Sequence, residues 1–406
     1  MDIANPFARP LYVMLKPAGA QCNLSCRYCY YLEKSKYYSD NSQDVMPDAL
    51  LEQFVRQYIE AQTTQEVLFT WHGGEPLLRP LSFYQKALLL QRQYAKGRHI
   101  DNCIQTNGTL LNDEWCRFFK ENNFLVGVSI DGPQHFHDIY RCKSFEKVMR
   151  GVELLNKYDV QWNAMAVVNN LNVEHPLEFY RFFRDTLNCR FLQFTPIVER
   201  YDASGMLVPG LHEGGKLTST SVTAEQWGRF LCEIFDEWVR NDVGEMFVQL
   251  FDATLANWCG VPPGICSLAP VCGHSAAMEH NGDLYSCDHF VFPEYKLGNI
   301  RNETITSMMY GEQQRTFGQA KRTALPRQCK ECQYLFACNG ECPKNRFLND
   351  EYGNFGLNYL CSGYLRYFRH VASAMDFMAD EWREGREAAN IINFLANSAL
   401  LLLFFL

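Results

Sequence analysis

No stretch of this 406-residue chain reaches the roughly twenty consecutive apolar residues of a membrane-spanning helix. Long runs of lysine and arginine are missing too, and the net charge is −8, which speaks against a nucleic-acid surface. The opening Met1-Asp2-Ile3-Ala4-Asn5-Pro6 has neither the basic stretch nor the apolar core of a secretory leader. A cytoplasmic setting is therefore expected, and with it few disulfides. Disorder is excluded by composition, since 47% of the residues are apolar and 14% aromatic. The length suggests about two to three domains. Against these absences stand seventeen cysteines, a count that without export points to thiolate–metal chemistry.

Three of them form one group. Cys22, Cys26 and Cys29 follow C-x3-C-x2-C spacing, with Tyr28 before the last. A loop of this length can wrap three thiolates around a cubane iron–sulfur cluster. Four thiolates saturate such a cluster; three leave one iron open to a substrate or cofactor. The alternative is a zinc knuckle short of one ligand, but structural zinc takes four.

Along the chain, apolar runs and helical periodicities alternate. Strands are expected at residues 11–15, 67–71, 100–105, 124–130, 161–168 and 190–194. Helices are expected at 47–62, 83–94, 114–121, 145–158 and 177–185. This alternation predicts α/β architecture with parallel β/α units, about six, enough for an incomplete (β/α)6 barrel. Chemistry in such folds gathers where strands end. The cysteine loop, His72-Gly73-Gly74-Glu75-Pro76, Gln105-Thr106-Asn107-Gly108 and Ser129-Ile130-Asp131-Gly132 all fall there. Residues 200–222, rich in glycine and proline, read as a loop or linker. A helix over 224–240 follows, with Thr223 as its N-cap, and reads as a bridge between domains.

The second half holds eight more cysteines. Cys266, Cys272 and Cys287 come first, then Cys329, Cys332, Cys338 and Cys342 at C-x2-C-x5-C-x3-C spacing, then Cys361. Eight thiolates saturate two cubanes or two zinc sites, and the count does not choose. Cys103, Cys116, Cys142, Cys189, Cys232 and Cys259 mostly fall in strand or helix patterns and read as small buried hydrophobes. The apolar end from Ile391 to Leu406 is interrupted by Asn393, Asn397 and Ser398. It reads as a docked terminal helix or a peculiarity of the sequence rather than a membrane anchor.

Cys-Asn-Leu-Ser-Cys-Arg-Tyr-Cys at 22–29 resembles the signature of radical S-adenosylmethionine (SAM) enzymes. The later cysteines resemble the SPASM extension, which houses two auxiliary [4Fe–4S] clusters. Together with Thr-Trp-His-Gly-Gly-Glu-Pro-Leu, Gln-Thr-Asn-Gly-Thr-Leu-Leu and Tyr-Ser-Cys-Asp-His-Phe-Val, the chain from about 10 to 378 resembles the anaerobic sulfatase-maturating enzymes. The implied domains are a radical SAM core over 8–222, a bridging segment over 223–260, a SPASM domain over 261–378 and a tail over 379–406. The implied cofactors are SAM and three [4Fe–4S] clusters.

Residue by residue, the resemblance gives Cys22, Cys26 and Cys29 the cluster that binds SAM. Cys266, Cys272, Cys287 and Cys342 would hold one auxiliary cluster, and Cys329, Cys332, Cys338 and Cys361 the other. Gly73, Gly74 and Glu75 match the region around the SAM ammonium, and Ser129 and Arg141 match its carboxylate contacts. Tyr28 matches a backbone contact to the adenine, and Val198 a neighbour of the nucleoside. Asp288 matches the family's proton acceptor, and Tyr31 and His72 match positions facing the substrate peptide. The implied activity is oxidation of a Cys or Ser in a sulfatase, within a C/S-x-P/A-x-R motif, to Cα-formylglycine. Partners would be that sulfatase and an electron donor such as flavodoxin or ferredoxin; no nucleic acid or membrane is expected. The nearest alternative is another SPASM enzyme that modifies a peptide, for instance by a cross-link. The segment Arg141-Cys142-Lys143-Ser144-Phe145 is shorter than in members of the family.

Overall fold

The computed structural model describes residues 10–37 and 45–404. The Met1–Pro6 opening and the last two residues of the apolar C-terminal stretch lie outside the described residues. The chain divides into two compact units. The first gathers the described residues of Met1–Ile130 with His137–Trp162 and Val271–Ala320; the second gathers those of Asp131–Phe136, Asn163–Pro270 and Lys321–Leu406.

In the first unit, β1 (Tyr12–Leu15), β2 (Glu66–Trp71), β3 (His99–Thr106) and β4 (Leu125–Ser129) lie side by side, all parallel. Helices α1 (Asp48–Ala61), α2 (Leu81–Tyr94) and α3 (Asp113–Glu121) make the connections. The expected stripe of α1 is the buried one: Leu50, Leu51, Phe54, Val55, Tyr58 and Ile59. In β2, alternation buries Val67, Phe69 and Trp71. The Asn112 side chain caps α3 by accepting from Trp115 N at 2.9 Å.

The other side of β1 carries strands from far along the chain. Ser275–Met278 pairs with β1 in parallel, Tyr12 opposite Ser275 and Leu15 opposite Met278. Asp283–Tyr285 and Lys296–Asn299 follow antiparallel. A stretch expected within the cysteine-rich domain thus completes the sheet of the first unit.

The second unit carries β5 (Trp162–Val168) and β6 (Phe191–Pro196), again parallel. The six expected β/α strands are present, and the fold is mixed α/β with mostly parallel strands. The helix expected at 177–185 is α-helical over Pro176–Arg181 and then widens to a π-turn over Phe182–Thr186. Residues 200–222 are more ordered than a linker. Arg200 is buried and donates to the carbonyls of Pro209 at 3.1 Å and His212 at 3.0 Å, pinning the loop from inside.

Helix Ala224–Asn241 begins with the expected Thr223 cap, closed reciprocally by Gln226. It packs within the second unit against helix Cys361–Arg383. Gly228 and Gly363 permit the approach: a Cβ on Gly363 would lie 2.1 Å from the Ala224 carbonyl oxygen. The C-terminal stretch forms helix Asn390–Phe404, docked by Ile391 and by Phe394 stacked 4.6 Å from Phe377. Among the described residues no helix is long and apolar enough to cross a membrane.

Of the six remaining cysteines, Cys116, Cys189 and Cys232 are buried as expected, and Cys103 and Cys259 are half-buried. Cys142 corrects the reading, for it is exposed. It sits in a turn with φ of 55°, outside any helix, where its Sγ accepts from Ser25 N at 3.3 Å.

Candidate active site and cluster sites

Cys22, Cys26 and Cys29 lie on the loop that follows β1. The loop makes little regular structure, so its shape is imposed from outside. Gly74 N donates to the Gly19 carbonyl at 2.9 Å, Glu75 N to that of Gln21 at 2.8 Å, and Arg27 N to that of Tyr140 at 3.1 Å. Leu24 N and Asn107 Nδ2 point at Cys22 Sγ, at 3.4 and 3.7 Å. Asn107 also donates to Asn23 Oδ1 at 2.8 Å, so the end of β3 braces the loop. Burial raises the Cys22 and Cys29 thiols. An electrophilic metal offsets that cost, because it binds the thiolate and not the thiol. The donor set, three thiols with N–H groups aimed at sulfur, fits an iron–sulfur cluster.

Gly74 explains why the loop and the Gly-Gly-Glu-Pro turn need each other. A Cβ there would lie 2.0 Å from the Gln21 carbonyl oxygen, one residue before Cys22. Gly73 has φ of +116°, which side chains rarely adopt. Gly74→Ala is expected to push the cysteine loop away. Overpacking of this kind costs about 1–3 kcal/mol or more. The check is thermal unfolding together with iron content after reconstitution; unchanged values of both would refute it.

Glu75 is fully buried. Its Oε1 accepts from Leu77 N at 2.9 Å and Thr106 Oγ1 at 2.8 Å, and its Oε2 from Asn107 N at 2.8 Å. Burial pushes its carboxyl up to about 7, against the pull of these donors. The side chain thus ties β2 to β3, leaving the backbone of the turn to face a ligand. Ser129 ends β4 and accepts from Gln105 Nε2 at 2.9 Å. Arg141 is buried, its guanidinium 5.6 Å from the centre of the Tyr28 ring. Tyr28 meets Tyr140 edge-on at 5.9 Å. Cys22, Cys29, Glu75 and Arg141 lie within electrostatic reach of one another in part, Cys22 sensing Glu75 and Cys29 sensing Arg141. Val198 belongs to the second unit, where its carbonyl accepts from Lys344 Nζ at 2.7 Å, and Lys344 also pairs with Glu199 at 2.7 Å.

Asp288 lies in the first unit within a buried ionic group. Its carboxylate forms an ion pair with Lys16 and accepts from the Tyr30 hydroxyl. Burial alone would raise its carboxyl; the Lys16 ammonium paired with it overcomes that and holds it well below the usual carboxylate range. His72 is held low by burial, against the pull of Asp288, and stays a neutral ring. Lys16 also lies 3.8 Å from Glu279. Tyr31 donates to Glu279 at 2.7 Å and lies under the Lys16 ammonium, 3.6 Å from its ring centre. Tyr31 is therefore buried and committed to Glu279, while its neighbour Tyr30 reaches Asp288.

The auxiliary cysteines divide. Cys272 and Cys287 lie in the first unit, and a Gln314 side chain, itself buried, ties the residues beside them by donating to the Gly273 and Ser286 carbonyls, each at 3.1 Å. Cys266 and Cys342 lie in the second unit; Lys321 donates to the Cys266 carbonyl at 2.6 Å. Also in the second unit, Cys329, Cys332, Cys338 and Cys361 line one cavity of about 370 Å³, with Tyr334, Tyr364 and Phe368 around them; Cys342 is not in its lining. Burial, then the neighbouring Cys329 and Cys332, push the Cys361 thiol up to about 12. Four thiols facing one cavity offer a metal cluster its full set of ligands, the metal offsetting the cost of ionising them.

The sequence does not single out Lys16, Tyr30, Glu279, Gln314 or Lys344. For Lys16 a signal existed, a charge directly after a buried strand at the end where chemistry gathers. The other contacts depend on distant segments.

Comparison with known proteins follows the same lines. Residues 17–183 match the model of the radical SAM superfamily, and residues 266–333 that of the SPASM iron–sulfur cluster-binding domain. The chain is 60% identical to the serine-type anaerobic sulfatase-maturating enzyme of Bacteroides thetaiotaomicron, over 97% of each chain. It is 31% identical to the cysteine-type enzyme of Clostridium perfringens, over 89% of this chain and 96% of that one. A solved structure described as native anSMEcpe with bound AdoMet and Kp18Cys peptide superposes with a TM-score of 0.80 at 31% identity, covering 92% of this chain and 100% of that one. With the three-cysteine loop, the Gly-Gly-Glu-Pro turn and the second cysteine constellation all in place, the chain belongs to the anaerobic sulfatase-maturating enzymes of the radical SAM superfamily.

Proposed function

We propose that this enzyme oxidises a seryl side chain of a sulfatase, within a C/S-x-P/A-x-R motif, to Cα-formylglycine, with Asp288 as the proton acceptor. The preference for serine rests on the 60% identical serine-type relative, the cysteine-type relatives standing at 31%. The observation that carries the role of Asp288 is its half-buried, ionised carboxylate, fixed by Lys16 and Tyr30 beside the cluster-ligand candidate Cys287.

When bound, SAM and the clusters supply a 5′-deoxyadenosyl radical that removes a Cβ hydrogen, and an acceptor for the electron left behind. Cys22, Cys26 and Cys29 would hold the cluster that binds SAM; Gly73, Gly74, Ser129, Arg141, Tyr28 and Val198 would orient SAM. Arg141 offers a planar donor pair for a carboxylate. Cys266, Cys272, Cys287 and Cys342 would hold one auxiliary cluster, and Cys329, Cys332, Cys338 and Cys361 the other. Loss of the Cβ hydrogen alone makes no aldehyde, because the hydroxyl proton must leave too. Asp288 takes it within hydrogen-bond reach. His72, with its neutral ring, would border the peptide beside Asp288. Tyr31, held by Glu279, would line the same wall from behind. An external donor such as flavodoxin or ferredoxin would supply the initiating electron, in the cytoplasm. We retain the division into a core over 8–222, a bridging segment, a SPASM domain over 261–378 and a tail.

The test is anaerobic incubation with SAM, dithionite and paired peptides that differ only in Ser or Cys at the target position, read by mass spectrometry. Formylglycine from the Ser peptide is expected. Deoxyadenosine without aldehyde from either peptide would refute the assignment, and conversion of the Cys peptide alone would reverse the preference.

A further inference from the structure

The proton acceptor is not held by its own segment. Lys16 follows β1 and Glu279 follows the strand Ser275–Met278, and these strands are in register, Leu15 opposite Met278. Lys16 N donates to the Met278 carbonyl at 2.9 Å, which sets the two side chains next to each other. Both side chains are 0% exposed. Lys16 reaches Glu279 at 3.8 Å on one side and forms the ion pair with Asp288 on the other. Tyr30 and Tyr31, adjacent in sequence, each donate a hydroxyl to one of the two carboxylates. One lysine is thus shared by two carboxylates, the sealed Glu279 and the half-buried Asp288, each with its own phenol.

A buried ammonium is costly unless paired. A stability role alone would be met by one carboxylate. Here the partly exposed Asp288, at 15%, takes the open side of the lysine, and the sealed Glu279 takes the closed side. Both oxygens of Glu279 lie 2.7 Å from the single Tyr31 hydroxyl, whose one proton they share, so turning the carboxylate disturbs that bond. The ammonium it anchors is therefore a fixed point against which Asp288 is aimed.

We propose that Lys16 is a positioning residue for the oxidation: anchored by Glu279 and Tyr31, it holds the Asp288 carboxylate in the orientation that meets the substrate hydroxyl. The inference rests on Asp288 being the proton acceptor. Lys16 need not touch substrate; it acts through Asp288.

The experiment uses the reconstituted full-length enzyme with SAM and the Ser peptide, and reads deoxyadenosine, formylglycine, iron content and thermal unfolding for Lys16→Met, Lys16→Arg, Glu279→Gln and Asp288→Asn. Lys16→Met should keep its iron and its deoxyadenosine rate while formylglycine falls about 30-fold or more, so that cleavage and product uncouple. Lys16→Arg, which restores a charged donor, should recover at least about tenfold over Lys16→Met. Glu279→Gln should uncouple more mildly, by about three- to tenfold. Wild-type coupling in Lys16→Met overturns the inference. So does loss of iron or of SAM cleavage in both lysine variants, since that marks a structural role. If Lys16→Met does not fold, Glu279→Gln decides: uncoupling supports the inference and normal coupling overturns it. Asp288→Asn separates the two levels. If it makes product at the wild-type rate, the assignment of the base fails; if it does not and Lys16→Met does, only the positioning role fails.

Discussion

Replacing Cys22, Cys26 and Cys29 together by alanine lowers the iron of the reconstituted enzyme from about twelve to about eight atoms per chain and abolishes release of 5′-deoxyadenosine. The loss is selective because the three thiols share one loop, while the other candidate ligands lie on distant segments. Four of those line their own cavity in the second unit. The loop itself survives the change. Its contacts to Gly74, Glu75 and Tyr140 run through the backbone and not through sulfur. Circular dichroism should therefore match that of the parent, and the remaining iron should keep a [4Fe–4S] spectrum. SAM cleavage must go to background, since no protein ligand is left to hold an iron with an open position. Iron that stays near about twelve, or deoxyadenosine that continues to form, would remove this loop from the chemistry. Stoichiometric zinc with little iron in the parent would remove the cluster reading altogether.

Asp288→Asn lowers formylglycine by about 10²- to 10⁴-fold, the span that a positioned general base contributes, while iron and deoxyadenosine stay at parental levels. The change is nearly isosteric. The amide oxygen can still face Lys16, and the Tyr30 hydroxyl can still meet the amide group, so the fold has little reason to respond. What is lost is the negative charge. In the parent, burial works against that charge, and the Lys16 ammonium maintains it. An amide has no such basicity and cannot take the hydroxyl proton. Oxidation then stalls after hydrogen removal, and deoxyadenosine accumulates without product. The measurement is the ratio of the two, from one anaerobic incubation. Product at the parental rate would shift the role to His72, whose ring burial keeps neutral and hence able to accept a proton.

How much of this was legible beforehand follows from the range of each signal. The β/α alternation was, because helical and strand periodicities are written within a dozen residues; the stripe of α1 and the Thr223 cap came out as read. So were the cysteine loop and the cavity group of Cys329, Cys332 and Cys338, because a chelating loop is local. The places of Cys361 and Cys342 in the two ligand sets are implied by resemblance rather than spacing; the cavity is lined by Cys361 and not by Cys342. Cys142 was misjudged because its exposure depends on a turn with φ of 55°, which no periodicity announces.

By itself, then, the sequence determined the repeating strands and helices, the three-cysteine loop, and the number of further cysteines. Each depends on residues close enough along the chain to constrain one another. The tertiary structure alone decided that Ser275–Met278 pairs with β1, and so that Lys16 stands between Glu279 and Asp288. It also decided that Gly74 touches Gln21. Parallel strands some 260 residues apart leave no mark of their pairing in either segment, because the register comes from burial and backbone hydrogen bonds that exist only once the sheet has formed.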